Sequence, residues 1–118
     1  MTTQPRVFVI QQPATFNRDR RVFIPKYDLT PAATFGRLVF ILKPGNIFRD
    51  QLAPTVLHMR NVLNDFAPTD FLLAVGDSVA IAAAAMIAGT KTGGVVNMLK
   101  WDRLQRAYLC FSIKLNGE

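Results

Sequence analysis

Two five-residue runs without a polar side chain, Leu38-Val39-Phe40-Ile41-Leu42 and Phe71-Leu72-Leu73-Ala74-Val75, constrain this chain more than any other feature. A strand with one wet face alternates apolar and polar residues. An unbroken apolar run closed by Gly and Pro instead suits a strand covered on both faces, the situation of a parallel sheet with helical crossovers. Both runs end in turn residues, Lys43-Pro44-Gly45 for the first and Gly76-Asp77-Ser78 for the second. Between them the apolar residues Leu52, Val56, Met59, Leu63 and Phe66 recur at spacings of four and three, one face of a helix. Pro54 fits only in the first turn, which predicts a helix from about Ala53 to about Phe66, broken by Pro68-Thr69-Asp70. After the second run, Val79 to Ala88 is alanine-rich and strongly helix-forming, with Gly89 as its C-cap. Val95 to Trp101 and Tyr108 to Leu115 then read as two strands joined through Asp102 to Ala107 as a hairpin.

Strand, helix, strand, helix, strand gives two right-handed crossovers and a parallel core of three strands, to which the last strand adds antiparallel. The expected fold is α/β: a single three-layer domain over residues 1–118, with a mixed, mostly parallel sheet and a C-terminal antiparallel hairpin. The 118 residues are too few for two ordinary cores and enough for one. Ahead of the first run, Arg6 to Gln11 reads as a strand closed by Pro13, and residues 14–30 as a loop-rich, hairpin-like excursion. Thr30 to Gly36 reads as one helical turn, with Thr30 as N-cap and Pro31 at the first position. Arg6 to Gln11 or Tyr108 to Leu115, as an exposed edge, could pair across a homo-oligomer.

The charge narrows the partner. Fourteen Lys and Arg against eight Asp and Glu leave +6, and the only glutamate is Glu118. Such a chain attracts anionic partners, nucleic acid first, although a net charge of this size also serves solubility. Val79 to Ala88 is about half the ~20 apolar residues of a membrane span, and Met1 to Arg6 has no leader pattern, so no membrane role is expected. One cysteine, Cys110, permits no internal disulfide and reads as an inert strand residue.

Three places draw attention. Gly76-Asp77-Ser78 lies where a strand hands over to a helix, the usual ligand position of open α/β sheets, and free N–H groups there favour a phosphate or nucleotide. Asp or Ser in that place is also what an N-cap requires, and no Gly-x-Gly-x-x-Gly or Walker-type loop is present. Arg18, Arg20 and Arg21 beside Phe16 and Phe23 form a cationic and aromatic cluster. Lys100, Trp101, Arg103 and Arg106 beside Tyr108 form another. Arg with Trp or Tyr is the composition of binding hot spots and single-strand platforms, or else of a solvated turn. His58 is the only histidine and has no ligand spacing around it, and Asp65 and Asp70 read as solvated loop residues. No metal, cofactor or catalytic residue is expected from this inventory.

The stretch Leu72 to Ser78, the alanine-rich helix, Leu99-Lys100-Trp101-Asp102-Arg103 and Tyr108 together resemble small uncharacterised α/β accessory proteins of tailed bacteriophages. The likeness covers roughly residues 27 to 115, and those relatives often carry Pro where this chain has Ser78. It implies an infected bacterial cell as the setting, with the host cytoplasm or the virion as the location. Together with the residue inventory it leads to a non-enzymatic accessory protein acting by stoichiometric binding to a host protein or nucleic acid, in host takeover or counter-defence. Two alternatives stand beside it: a binder or sponge of a nucleotide-like ligand at residues 76–78, and a head or tail accessory protein of the virion.

Overall fold

A computed structural model describes residues 4–25, 28–45, 47 and 49–117. Met1 to Thr3, from the stretch read for a leader, and Lys26 and Tyr27 of the excursion lie outside the described residues. The strands are β1 (Arg6–Gln11), β2 (Ala14–Asn17), β3 (Val22–Pro25), β4 (Arg37–Leu42), β5 (Phe71–Leu73), β6 (Val95–Asp102) and β7 (Ala107–Lys114), and the helices are α1 (Leu52–Val62) and α2 (Ser78–Lys91). Five strands form one sheet in the order β4-β1-β5-β6-β7, and β2 and β3 form a separate two-stranded sheet. β4, β1, β5 and β6 run parallel, and β7 returns antiparallel to β6 with unbroken register from Asp102 opposite Ala107 to Val95 opposite Lys114. The α/β class, the mostly parallel sheet and the C-terminal hairpin are therefore as the sequence predicts.

Two placements differ. The parallel core has four strands rather than three, and β1, buried from Val7 to Gln11, is an interior strand between β4 and β5, not an edge. The run Leu38 to Leu42, expected at the centre, forms edge strand β4 and leaves Phe40 half exposed. The chain order explains this. From β1 it moves outward to β4, then crosses back over β1 to lay down β5 on the other side. Gly36 makes the first step possible, because a Cβ there would overlap the Pro5 carbonyl beside which β4 begins.

Alternation along β1 divides the core. Phe8 and Ile10 face Met59 of α1, its C-cap Leu63, Phe66 just beyond, and the stripe Ala80, Ala84 and Ala88 of α2. The fourfold spacing of these alanines lets α2 lie close on the sheet. Val7 and Val9 face the opposite side with Leu73, Leu99 and Ala32. Each large side chain so buried contributes about 1.5–3 kcal/mol. Both α-helices cover the first face, and the layer on the second is one 3-10 turn, Thr30–Thr34. That turn begins after Leu29 rather than being capped by Thr30: Asp28 Oδ1 accepts from both the N–H and the hydroxyl of Thr30, at 2.9 and 2.6 Å. α1 stops at Val62, so Phe66 reaches the core from a turn and packs on Phe8 at 5.5 Å. α2 continues past Gly89 to Lys91, and Gly93 takes the left-handed conformation instead.

Candidate functional site

The carboxyl edge of the parallel strands is where the fold reverses direction. β1 leads away to β4 and its neighbour β5 leads away to β6, which opens a crevice between them in sheets of this kind. Here Gln11, the last residue of β1, occupies it. Its side chain is almost fully buried, its Oε1 accepts from the Asp77 N–H at 2.7 Å, and its Nε2 donates to the carbonyls of Lys43, at 3.1 Å, and of Gly45. Gly76, at φ 114°, lies against Gln11 so closely that a Cβ would overlap that side chain. Asp77 Oδ1 in turn accepts from the N–H groups of Val79, at 2.8 Å, and Ala80, at 3.4 Å. Three amide donors at the start of α2 are thus held by the protein's own side chains, and Ser78 is exposed as the first helical residue. The geometry at residues 76–78 is that of an N-cap joined to a latch: Gln11 fastens the end of β4 to the start of α2.

The two basic clusters prove to be built alike. Asn17 pairs with Val22 across β2 and β3, and Asp102 pairs with Ala107 across β6 and β7, so each hairpin closes with four turn residues. In the first, Asn17 Oδ1 accepts from the Arg20 N–H at 3.0 Å; in the second, Asp102 Oδ2 accepts from the Gln105 N–H at 3.2 Å. The fourth turn residue is left-handed in both and is an arginine in both, Arg21 at φ 54° and Arg106 at φ 51°. Behind each turn stands an edge-to-face aromatic pair, Phe16 with Phe23 at 5.2 Å and Trp101 with Tyr108 at 5.0 Å. Arg18, Arg20, Arg21, Lys100, Trp101, Arg103 and Arg106 are all exposed. Both hairpins are rooted at the carboxyl edge: β2 begins three residues after the end of β1, and β6 continues three residues past Leu99, where β5 ends beside it. With β5 between β1 and β6, the roots stand two strand spacings apart, roughly 10 Å.

A family model described as Phage Pam3 gp32-like protein matches residues 5–115. The chain belongs to this phage protein family. The match takes in both hairpins of the Pam3 gp32-like chain, so the family resemblance reaches further toward the N-terminus than residue 27, where the sequence likeness begins. Neither the curated proteins nor the solved structures contain a match.

The common pattern was present in the sequence and escaped reading. Phe16-Asn17-Arg18-Asp19-Arg20-Arg21-Val22-Phe23 and Trp101-Asp102-Arg103-Leu104-Gln105-Arg106-Ala107-Tyr108 share aromatic, Asn or Asp, Arg, two variable residues, Arg, a small or β-branched residue and aromatic. Leu104, almost wholly exposed at the second tip, was not singled out either.

Other readings of this Pam3 gp32-like chain change in three dimensions. Asp70 is buried, not solvated, and is one half of a clamp on Arg6. Its Oδ1 accepts from the Arg6 N–H at 3.0 Å, and its Oδ2 from Arg6 Nη2 at 2.8 Å and from the Ala67 N–H at 2.9 Å. Exposed Asp65 completes the clamp at 3.2 Å, and the hydrogen bond with Asp70 holds the Arg6 guanidinium pKa above its usual value. Cys110 is in a strand as predicted but exposed, because β7 is an edge and no helix covers its second face. Tyr108 is partly buried beside the 3-10 turn, and desolvation followed by the charge of Asp28 raises its phenol pKa. No three of His, Cys, Asp and Glu gather to hold a metal ion among the described residues, and no helix there is long and apolar enough to cross a membrane.

Proposed function

We propose that this phage protein is a non-enzymatic accessory protein that binds nucleic acid stoichiometrically in the cytoplasm of the infected bacterium. The observation that carries the reading is the twofold use, at one edge of the sheet, of the same eight-residue hairpin end: arginines on the turn and an aromatic pair behind them. A guanidinium fork matches a phosphate in two parallel hydrogen bonds, and exposed aromatic faces accept any base. Neither tip carries a recognition helix or a shaped base pocket, so binding runs through phosphates with little sequence preference. A solvated turn has no need of an arginine at a left-handed position, where glycine or asparagine is easier to accommodate. The +6 charge brings the polyanion to the edge from a distance.

Fluorescence-anisotropy titration against single-stranded DNA, duplex DNA and RNA at two salt concentrations tests it. Binding is expected to weaken steeply with salt, with a logarithmic slope of about −0.7 per phosphate contact on a single strand. Replacing Arg18, Arg20 and Arg21 by serine, or Arg103 and Arg106 by serine, is expected to flatten that slope in proportion to the arginines removed. No binding at low salt overturns the reading and turns the search to acidic host proteins, by capture from lysate with and without the same substitutions.

A further inference from the structure

The two edges of the five-stranded sheet are finished differently. In β4 the Ile41 carbonyl finds a partner on a helix rather than on a strand. His58 of α1 places Nε2 on that carbonyl at 3.0 Å, and Pro44 ends the edge. In β7 the Leu115 N–H donates to the Gly94 carbonyl, which fixes the phase of that strand. Odd-numbered residues from Ala107 bond toward β6, while the N–H and C=O groups of Tyr108, Cys110, Ser112 and Lys114 point outward, with no strand beside them in the sheet. This edge is eight residues long, unbulged and free of proline, and its one charge, Lys114, stands at its end. Natural sheets guard such edges with bulges, prolines, inward charges or a covering element, and among the described residues β7 has no bulge, proline or inward charge.

We infer that β7 pairs antiparallel with β7 of a second copy about a twofold axis through Phe111, joining two sheets into one of ten strands. The unmet groups are backbone groups, so the occupant is a strand, and the strand that fits is the same one. Centred on Phe111, the pairing sets Tyr108 against Lys114 and Cys110 against Ser112 in both directions, so all four outward residues of each copy are bonded. Leu109 then meets Ile113 and Phe111 meets Phe111 on the helix-bearing face. There Phe111 and Ile113 are half exposed because α2 covers β6 and not β7. Leu115 and Met86, both largely exposed, extend this apolar strip on each side. Charge selects the register. A shift of two residues one way sets Lys114 against Arg106, like against like, and the other way leaves Tyr108 outside the strand pairing, whereas the centred register lays Lys114 along the Tyr108 ring. The second copy thereby adds a cation to the Trp101–Tyr108 pair of the β6–β7 hairpin.

Sedimentation velocity of the full chain tests this. The expected particle has twice the 13.2 kDa chain mass. Ser112→Pro removes an outward N–H that the monomer does not use, so it is expected to give a monomer with unchanged circular dichroism, whose thermal midpoint no longer rises with protein concentration as that of the wild type does. A second variant needs no loss of assembly: with Cys110→Ser, Phe111→Cys sets two thiols directly opposite one another, and mild oxidation is expected to yield a covalent dimer. A monomeric wild-type chain at its highest soluble concentration, a dimer that a folded Ser112→Pro variant retains, or no covalent dimer from the paired substitution each overturns the inference.

Discussion

The hairpin of β2 and β3 and the hairpin of β6 and β7 end in the same turn and stand on different foundations. β6 is hydrogen-bonded to β5 as well as to β7, and Tyr108 packs into the second core cluster, so this hairpin is a limb of the sheet. The other has four residues per strand, pairs with no third strand and keeps Phe16, Val22, Phe23 and Ile24 about half exposed. The turn is thus a local solution that eight residues reach by themselves, whereas rigidity comes from what lies beside the strands. A two-stranded ribbon alone is marginal in water. The pair therefore offers a polyanion one fixed and one adaptable contact, and the adaptable one has an ordering cost to meet on binding.

Hydrogen exchange gives the largest expected contrast. Amides of Met98, Lys100, Leu109 and Phe111, bonded between β6 and β7, should open only with the whole molecule, while those bonded between β2 and β3 should open with several kcal/mol less, on the order of 5. Adding single-stranded DNA should slow the β2–β3 amides far more than the others; equal protection before binding would end the distinction. Arg6→Ala comes next. It strips the partner from Asp70, which is buried, and is expected to cost about 3–5 kcal/mol by urea titration. Because it acts at the amino end of β1, tip binding well below the unfolding transition should be unchanged, and a parallel loss of affinity would mean that the tips depend on the sheet's far edge.

Arg21→Gly and Arg106→Gly separate charge from backbone. Each relieves a left-handed non-glycine residue, so stability should hold or rise by up to about 1 kcal/mol. Nucleic-acid affinity should fall at both, and affinity kept at either position would assign that arginine to the turn alone. The smallest effect is alkaline. Tyr108 has its pKa raised in the folded chain, so it binds its proton more tightly folded than unfolded. The stability it contributes is whole below the ordinary tyrosine range and is lost as pH rises through the folded-state value. Urea midpoints compared with Tyr108→Phe across that range should diverge only there, and Asp28→Asn should narrow the difference.

Much of the architecture was legible because apolar period and chain order are local properties. Of the stripe Leu52, Val56, Met59, Leu63 and Phe66, the last three are buried in the core, Leu63 and Phe66 just past the end of α1, while Leu52 and Val56 are partly buried; Gly76-Asp77-Ser78 named the start of α2 with Asp77 as its cap. The positions of β1 and β4 were not legible. Both strands are apolar on both faces, and the residues that place one inside the sheet and the other at its edge belong to the return path over β1. Asp70 looked solvated because nothing near it in the sequence tells of Arg6, which is 64 residues away. The exposure of Cys110 was not legible, because a strand of mixed apolar residues reads alike whether its far face is covered or bare.

The amino-acid sequence by itself determined the elements, the two turns with their arginines and the excess of positive charge, since each depends on propensity, spacing and side-chain chemistry within a few residues. Only the tertiary structure decided that both turns stand at one edge, that Gln11 occupies the crevice between β1 and β5, and that β7 is left without a neighbour. Those outcomes follow from which strands lie side by side, and strand order is set by packing between segments tens of residues apart.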